Sequence, residues 1–178
     1  MTECCRNILR IIKYNNRSYC SLVNQEKAGG QNMNYSIGEK KEMTLVGMKY
    51  YGNNSNNEIK SLWEEFETRI GEIENRINVD KDYGYDTWTE EINTTGKFIY
   101  FACVEVSDDS CIPDGMELIN VPSNKYAIFK VDKETPNFDK VVQSIYKEVM
   151  PKEGLKMNGD YDFEIVDDQH IYFHVPVK

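Results

Sequence analysis

The chain has 178 residues, of which 40% are hydrophobic, and its formal net charge is -9. This length suffices for one well-filled core, and the acidic charge argues against a nucleic-acid-binding surface over the whole protein, because such surfaces need Lys and Arg to neutralise phosphates. No apolar run approaches the roughly 18 residues of a membrane span and no signal peptide is evident, so we expect a cytoplasmic protein without a membrane partner.

The first 32 residues differ in composition from the rest of the chain. They hold five Lys/Arg against two acidic residues, three of the five cysteines, and a Gly-containing polar stretch from Lys27 to Asn32. The segment is too short for a complete helix-turn-helix module, so we expect no direct binding of nucleic acid. We predict that residues 1–32 form a mobile or dispensable tail and that residues 33–178 form the folded domain.

From residue 34 onward, the pattern predicts two strands, a helix and two strands, and then the same order again. The strands of the first half are expected at residues 35–40, 44–51, 83–89 and 97–107. Apolar residues recur at three- and four-residue steps between Ile59 and Ile77, which predicts an amphipathic helix of about 20 residues. The loop at residues 52–57 is rich in Asn and separates this helix from the preceding strand.

The strands of the second half are expected at residues 117–121, 125–131, 160–166 and 170–177. Its helix begins after Pro136, which favours a first turn, and is expected to end at Pro151. The two halves repeat the order of elements about 75 residues apart, which indicates a duplication. We therefore predict an α+β fold, a tandem pseudo-repeat of two strand-strand-helix-strand-strand halves. Each half is expected to be an antiparallel sheet with one helix, and the two enclose a central cleft.

Metal and disulfide chemistry is not indicated by the cysteines or histidines. The five cysteines form no CxxC pair, so free thiols are expected. His170 and His174 lie four residues apart in a predicted strand and share a face, but a metal site there would need a third ligand. The sequence predicts neither a metal nor a cofactor.

One carboxylate in the predicted strand at residues 160–166 calls for an explanation. Strand alternation sends Phe163 and Ile165 to one face, and Asp162, Glu164 and Val166 to the other. Glu164 therefore faces either solvent or a cleft between the halves. In a cleft lined by aromatic residues, such an acid would suit a cationic ligand or a polar aromatic one.

Several segments carry a resemblance to a known family. They are residues 98–106, 113–116, 121–129, 145–148, 162–164 and 175–178. In this order they resemble the GyrI-like small-molecule-binding domain, also called the bacterial transcription activator effector-binding domain. The resemblance runs from about Asn34 to Lys178.

The resemblance implies two strand-helix-strand-strand modules with a ligand pocket between them. It also implies a role for Glu164, which stands at the family's pocket glutamate and would contact cationic ligands among aromatic side chains. Family members are fused to DNA-binding segments in transcription regulators or stand alone as bacterial drug-binding proteins. This chain departs from the pattern at Val166 and His174, where a tyrosine is common, and near Ala102, where a glycine is usual, so ligand preference does not transfer.

Further candidates for the ligand site come from the strands and helices around Glu164. Glu105 is its candidate counterpart in the first half. Tyr85 and Trp88 can sandwich a flat ligand only if a bulge intervenes, because residues three apart point to opposite faces of a regular strand. Trp63 and Tyr146 lie on the inward stripes of the two helices, where each has either a packing or a ligand role.

We expect a standalone protein that binds an amphipathic or cationic aromatic ligand. One alternative is a hydrolase of a reactive, cyclopropane-type compound, with Glu164 as general acid/base. Another is an inhibitory protein that binds a larger protein partner such as a gyrase. The sequence contains no evident Ser-His-Asp or Cys-His constellation, which disfavours nucleophilic catalysis.

Overall fold

A computed structural model describes residues 33–178. The expectation of a dispensable tail at residues 1–32 lies outside the described residues. The eight strands in this part of the chain are β1 (Tyr35–Lys40), β2 (Met43–Gly52), β3 (Asp82–Thr87), β4 (Phe98–Val106), β5 (Glu117–Val121), β6 (Asn124–Asp132), β7 (Tyr161–Val166) and β8 (His170–Pro176). All eight strands were predicted, with boundaries within about two residues, because each is a short apolar or alternating run bounded by turn residues.

In each half, a helix connects the second strand to the third. The first half contains α1 (Glu58–Arg69), which ends in a 3₁₀ turn at Ile70–Glu72, and the short α2 (Ile92–Thr95). The second half contains α3 (Phe138–Ser144), which continues through a π-helical turn at Ile145–Val149 into α4 (Met150–Lys152).

The predicted helix up to Ile77 is too long. After the 3₁₀ turn the chain leaves the helix and pairs with the end of β4, where the Ile77 amide donates to the Glu105 carbonyl at 3.0 Å and the Ser107 amide donates to the Asn75 carbonyl. Ile73 is buried without being helical, and Ile77 is 39% exposed. The apolar spacing therefore continues past the helix because Ile73, in the non-helical segment, packs on the same core.

The second helix ends at Lys152, one residue after the predicted end at Pro151. Pro151 lies in its last turn, two residues after the π-helical turn that contains Tyr146. Proline lacks the N–H that an α-helix would use at this position, and a local change in the hydrogen-bonding pattern accommodates it.

The eight strands form one antiparallel sheet, in the order β1-β6-β8-β7-β3-β4-β2-β5. The order is symmetric about the contact of β7 with β3, so each strand of one half has its counterpart in the other. The predicted α+β class and pseudo-repeat are confirmed, but the two halves share a single sheet instead of forming one each. They are joined because β3 pairs with β7 along its whole length, from Asp82 opposite Val166 to Thr87 opposite Tyr161.

Two short connections require the sheet to be strongly curled. β5 and β6 are six positions apart in the sheet order, as are β1 and β2, yet only residues 122–123 and 41–42 join them. Six positions of a flat sheet span about 29 Å, whereas such a link reaches about 10 Å. The flanks of the sheet therefore approach each other, and one face, here called the inner face, lines the inside of the curl.

The opposite face, here called the helix face, packs against α1 and α3. The buried residues of α1 are Ile59, Leu62, Trp63 and Phe66. The inner face is filled by a separate apolar cluster that consists of Leu45, Tyr83, Tyr85, Phe101, Cys103, Ile119, Val121, Tyr126, Tyr161, Phe163 and Ile165. Because alternate residues of a strand point to opposite faces, the central strands supply side chains to both layers.

Candidate functional site

Three carboxylates lie next to one another on the helix face at the centre of the sheet. Asp162 and Glu164 are on β7, and Asp86 lies directly opposite Asp162 on β3. We call these three side chains the acidic row. Like charges that face each other across a strand pair destabilise a sheet, so packing alone does not explain this arrangement.

The acidic row is largely removed from solvent. Asp86 is 8% exposed and Asp162 is 3% exposed, while Glu164 keeps a larger exposed fraction. The two aspartates are therefore core positions by burial, and Glu164 is the member of the row that solvent reaches most easily.

Two tyrosines hold two members of the row, Tyr100 from β4 and Tyr146 from the helical segment after α3. The indole Nε1 of Trp63 on α1 donates to the Tyr100 hydroxyl at 3.0 Å, and that hydroxyl donates to Glu164 Oε1 at 2.9 Å. From the π-helical turn that follows α3, the Tyr146 hydroxyl donates to Asp162 Oδ2. Each half of the protein thus contributes a tyrosine that satisfies one carboxylate, because a buried carboxylate without a donor is costly.

A glycine on β3 makes room for the Tyr100–Glu164 contact. Gly84 is opposite Glu164 on one side and opposite Ala102 on the other. A Cβ atom at Gly84 would collide with the Tyr100 hydroxyl and with the Glu164 side chain. The absence of a side chain at this position is therefore a requirement of the site.

Asp86 is the member of the row whose hydrogen bonds are incomplete. Its Oδ1 atom is buried and has no hydrogen-bond partner, and no other carboxylate oxygen in residues 33–178 is in this state. Nearly all buried polar atoms in folded proteins are paired, so an unpaired one calls for an explanation such as strain, a bound water or a ligand.

Burial raises the pKa of each carboxyl group in the row. For Asp86, the neighbouring Asp162 and Glu164 raise the pKa further. Burial raises the pKa of Asp162 to about 8, and Glu164 adds to this although the hydrogen bond from Tyr146 opposes it. For Glu164, burial raises the pKa and the Tyr100 hydrogen bond lowers it. The physical cause is the loss of hydration, which disfavours the charged form of each carboxyl group.

No basic side chain within residues 33–178 forms an ion pair with the acidic row. The ion pairs in this part of the chain are Lys49–Glu117, Lys60–Glu64, Arg69–Glu72 and His170–Asp167. A cation from outside the chain would therefore favour the ionised form of these carboxyl groups, whose pKa is raised by burial.

The structure brings together three of the predicted site residues. Glu164, Trp63 and Tyr146 meet at the acidic row through the hydrogen bonds described above. Trp88 belongs to the same helix-face core and continues the face of Asp86 beyond the end of β3, with its amide bonded to the Asp160 carbonyl.

Tyr85 and Glu105 lie on the inner face, away from the acidic row. No bulge interrupts the pairing of β3, so Tyr85 points opposite to Trp88 and stacks on Tyr161 with ring centroids 5.7 Å apart. Glu105 accepts hydrogen bonds of 2.6 Å from Tyr83 and from Asn78.

A pocket apart from the acidic row surrounds Glu105. It has a volume of about 250 Å³ and opens on the inner face beneath the β1–β2 turn. Its lining includes Lys40, Lys41, Lys81, Tyr83 and Ile165. This pocket and the acidic row are on opposite faces of the sheet, so neither residues nor space are shared between them.

Sequence reasoning missed Asp86 and Tyr100 as site residues and did not single out Asp162. Alternation had already placed Asp162 on the face of Glu164, which was the available signal. Asp86 and Tyr100 join the site only through the register of β3 with β7 and β4, and that register cannot be derived from local pattern.

The two histidines belong to no candidate metal cluster in the described part of the chain. Among residues 33–178, no group of three His, Cys, Asp or Glu side chains is arranged to hold a metal ion. His174 is 2% exposed and stacks on Phe163 with ring centroids 4.5 Å apart. Burial lowers the pKa of His174 to about 3, and the nearby Lys40 contributes to this shift.

The curled eight-stranded sheet, its symmetric strand order and the helices on one face define an effector-binding domain of the GyrI-like fold. The chain belongs to the Cass2 family of integron-associated effector binding proteins, whose family model matches residues 36–177. Within residues 33–178, every helix falls short of the length and apolar character needed to cross a membrane.

Three similar proteins place the chain among its relatives. It is 32% identical over 139 residues to the transcriptional regulator BrlR of Pseudomonas aeruginosa, a match that covers 78% of this chain and 50% of BrlR. The structure of SAV2435 bound to tetraphenylphosphonium has a TM-score of 0.67 at 19% identity, over 82% of this chain and 94% of SAV2435. An integron cassette protein of Vibrio cholerae has a TM-score of 0.57 at 21% identity, over 83% of this chain and 100% of that protein.

Proposed function

We propose that this effector-binding protein takes up an organic cation with aromatic groups and holds it between α1 and α3, against the acidic row. The observation that carries the proposal is the burial of Asp86, Asp162 and Glu164 on one face with no basic side chain of residues 33–178 paired to them. A cation placed there gains attraction in a medium of low dielectric and relieves the repulsion within the row.

The aromatic residues around the row support a ligand with flat or bulky rings. Trp63 donates a hydrogen bond to Tyr100, and Tyr146 donates one to Asp162. Phe173 lies edge-on to Tyr146 with ring centroids 6.1 Å apart. Ring faces attract cations and ring edges pack against aromatic ligands, so this surrounding favours a lipophilic cation over a hydrated inorganic one.

Entry of a ligand requires the row to exchange its present partners. Glu164 retains more exposed surface than the two aspartates, so it is the first carboxylate that a cation meets. In this proposal the Tyr100 hydroxyl shifts from Glu164 as the cation replaces it. The π-helical turn that carries Tyr146 allows a local adjustment on the other side, since such turns are frequent at functional sites.

The relatives support the same class of ligand. SAV2435, which shares the fold, has been solved with tetraphenylphosphonium, a lipophilic aromatic cation. BrlR is a transcriptional regulator of which this chain spans half, so our proposal for the chain is confined to ligand binding.

The direct test compares two probes of nearly the same shape and opposite charge. Tetraphenylphosphonium should bind the full chain in isothermal titration calorimetry, and tetraphenylborate should not. In Glu164→Gln the dissociation constant of the phosphonium should rise about tenfold or more, because a buried charge pair is lost. Equal binding of both probes would show that apolar contact alone drives binding and would overturn the proposal.

Glu105→Gln is the matched control. Glu105 also accepts a tyrosine hydrogen bond, but it lies on the inner face next to the separate pocket. Its substitution should leave the affinity for tetraphenylphosphonium within about twofold, since exposed and distant charges act weakly on one another. A larger loss in Glu105→Gln than in Glu164→Gln would move the binding site to the other face of the sheet.

A further inference from the structure

Asp86 stands apart from its two neighbours in the acidic row. Glu164 accepts from the Tyr100 hydroxyl and Asp162 accepts from the Tyr146 hydroxyl, whereas no donor among residues 33–178 reaches Asp86 Oδ1. The side chain is more than nine-tenths buried, since only 8% of its surface is exposed.

The backbone of Asp86 pairs with both neighbouring strands, but its side chain has no stabilising partner across them. Its neighbours across the strands are Asp162 on β7 and Tyr100 on β4. One of these is a like-charged group, and the hydroxyl of the other is directed to Glu164. An apolar side chain would fit this buried position without the cost of an unpaired acceptor.

The negative charge of the row and the unpaired oxygen of Asp86 require chemically different partners. Charge compensation is satisfied by any cation, including a quaternary one that has no hydrogen to donate. An unpaired carboxylate oxygen also needs a donor, because a buried acceptor without a hydrogen bond loses its former interaction with water and gains nothing in exchange.

We propose that the effector carries a protonated or cationic nitrogen with N–H groups, and that one N–H donates to Asp86 Oδ1 while the positive charge lies against Glu164. This inference rests on the proposed function and narrows its ligand class. The preferred effectors are protonated amines, amidines or amino-substituted aromatic cations, and fully alkylated cations are weaker ligands of the same site.

The recognition is directional because Asp86 lies deeper than Glu164. The bulk of the ligand is held by the aromatic side chains and by charge, and the N–H points to the floor of the site on β3. A ligand without N–H still binds, but it leaves Asp86 Oδ1 unpaired in the complex. Replacing Asp86 by an apolar residue should therefore remove the preference for N–H ligands without removing binding.

Two acridinium dyes of equal charge provide the test. Proflavine has amino groups and a ring N–H, and 10-methyl acridine orange has the same ring system with each N–H replaced by N–CH₃. The wild-type full chain should bind proflavine about tenfold more tightly or better, as expected for a hydrogen bond to a charged group. Fluorescence titration gives both constants under the same conditions.

Asp86→Leu should bring the two dissociation constants to within about twofold of each other, chiefly by weakening proflavine. The control is Asp82→Leu, which is on the same strand and the same face but lies opposite Val166, outside the row. It should retain the full preference for proflavine. Should Asp86→Leu fail to fold by circular dichroism, Asp86→Asn replaces it and should reduce the preference to a few-fold, because an uncharged acceptor remains.

The outcomes separate this inference from the proposed function. Equal affinity of the two dyes in the wild type, or an unchanged preference in the Asp86 variant, overturns the role of Asp86 while the cation site stands. If neither dye nor tetraphenylphosphonium binds, the cation site itself is wrong and the inference falls with it.

Discussion

The two faces of the central strands are built from the same segments of chain and have opposite characters. On β7, Tyr161, Phe163 and Ile165 fill the inner face, while Asp162 and Glu164 lie on the helix face. The inner face is closed with rings that contact one another, and its histidine is kept neutral by burial. The helix face keeps carboxylates that nothing within residues 33–178 neutralises. One surface is therefore optimised for stability, and the other retains groups that lower stability.

The contrast should be largest between adjacent residues of β7. Phe163 is fully buried, with its ring 5.2 Å from that of Tyr126 and 4.5 Å from that of His174. Phe163→Ala should lower the free energy of unfolding by about 3–5 kcal/mol, because it leaves a cavity. Glu164→Gln should leave the free energy unchanged or raise it, since an amide keeps an acceptor for Tyr100 without a buried charge. Urea denaturation of both variants checks this pair, and a large loss in Glu164→Gln would contradict it.

Asp162 on the helix face should make the stability of the protein depend on pH. Asp162 has an ordinary pKa of 3.8 when unfolded and about 8 in the folded protein. The folded state binds the extra proton between these values, so this group makes stability fall as pH rises from about 4 to about 8. Each such proton is worth up to about 1.4 kcal/mol per pH unit.

Asp162→Asn should flatten this fall, because an amide does not titrate. The groups that face Asp162 are Tyr146 from the π-helical turn, Glu164 on β7 and Asp86 on β3, and all three are unchanged in the variant. The measurement is urea denaturation of both proteins at pH 5 and pH 8. A stability advantage of Asp162→Asn that is greater at pH 5 than at pH 8 would reverse the predicted sign.

A methyl group at Gly84 tests how tightly the helix face is fitted. Gly84→Ala pushes on the Tyr100 hydroxyl and on Glu164, so it should cost about 1–3 kcal/mol of stability and weaken the binding of tetraphenylphosphonium. Gly71→Ala is the control, because a Cβ there meets nothing within 4 Å. Equal effects of the two changes in thermal and binding measurements would show that the space at Gly84 is incidental.

The smallest predicted effect concerns a single hydroxyl. Tyr146→Phe removes the donor to Asp162 and should cost about 1 kcal/mol, together with a further rise in the pKa of that carboxyl. Tyr51→Phe removes a similar hydrogen bond to Glu91 at the surface, where it should cost less than about 0.5 kcal/mol. If the denaturation curves of the two variants coincide, burial does not strengthen the hydrogen bond from Tyr146 to Asp162.

Local pattern predicted the strands and the repeat but not the way in which the halves join. Each strand is recognisable from a few residues, whereas the pairing of β3 with β7 depends on contacts about 80 residues apart in the chain. The pairing is also what turns two separate acids, Asp86 and Asp162, into one row. The role of Glu164 was indicated by its place between apolar residues and by the family resemblance, and it stays a prediction until ligand binding is measured.

The helix ends show a second kind of limit. The sequence pattern predicts a helix past Arg69 because Ile70 and Ile73 continue the helical spacing and pack against the same core as α1. The helix ends at the 3₁₀ turn because the backbone of residues 75–77 pairs with the end of β4. The spacing of apolar residues does not predict this pairing. Tertiary pairing overrides local propensity at such a junction.

The curled sheet also means that the two halves exchange strands. β1 precedes the first helix but pairs with β6 of the second half, and β5 opens the second half but pairs with β2 of the first. Cutting the chain between β4 and β5 would therefore not yield two independent domains, because each piece would carry a strand that belongs on the other. A fragment of one half would leave a sheet edge open and would complete it most readily with a second copy of itself, as a strand-swapped dimer.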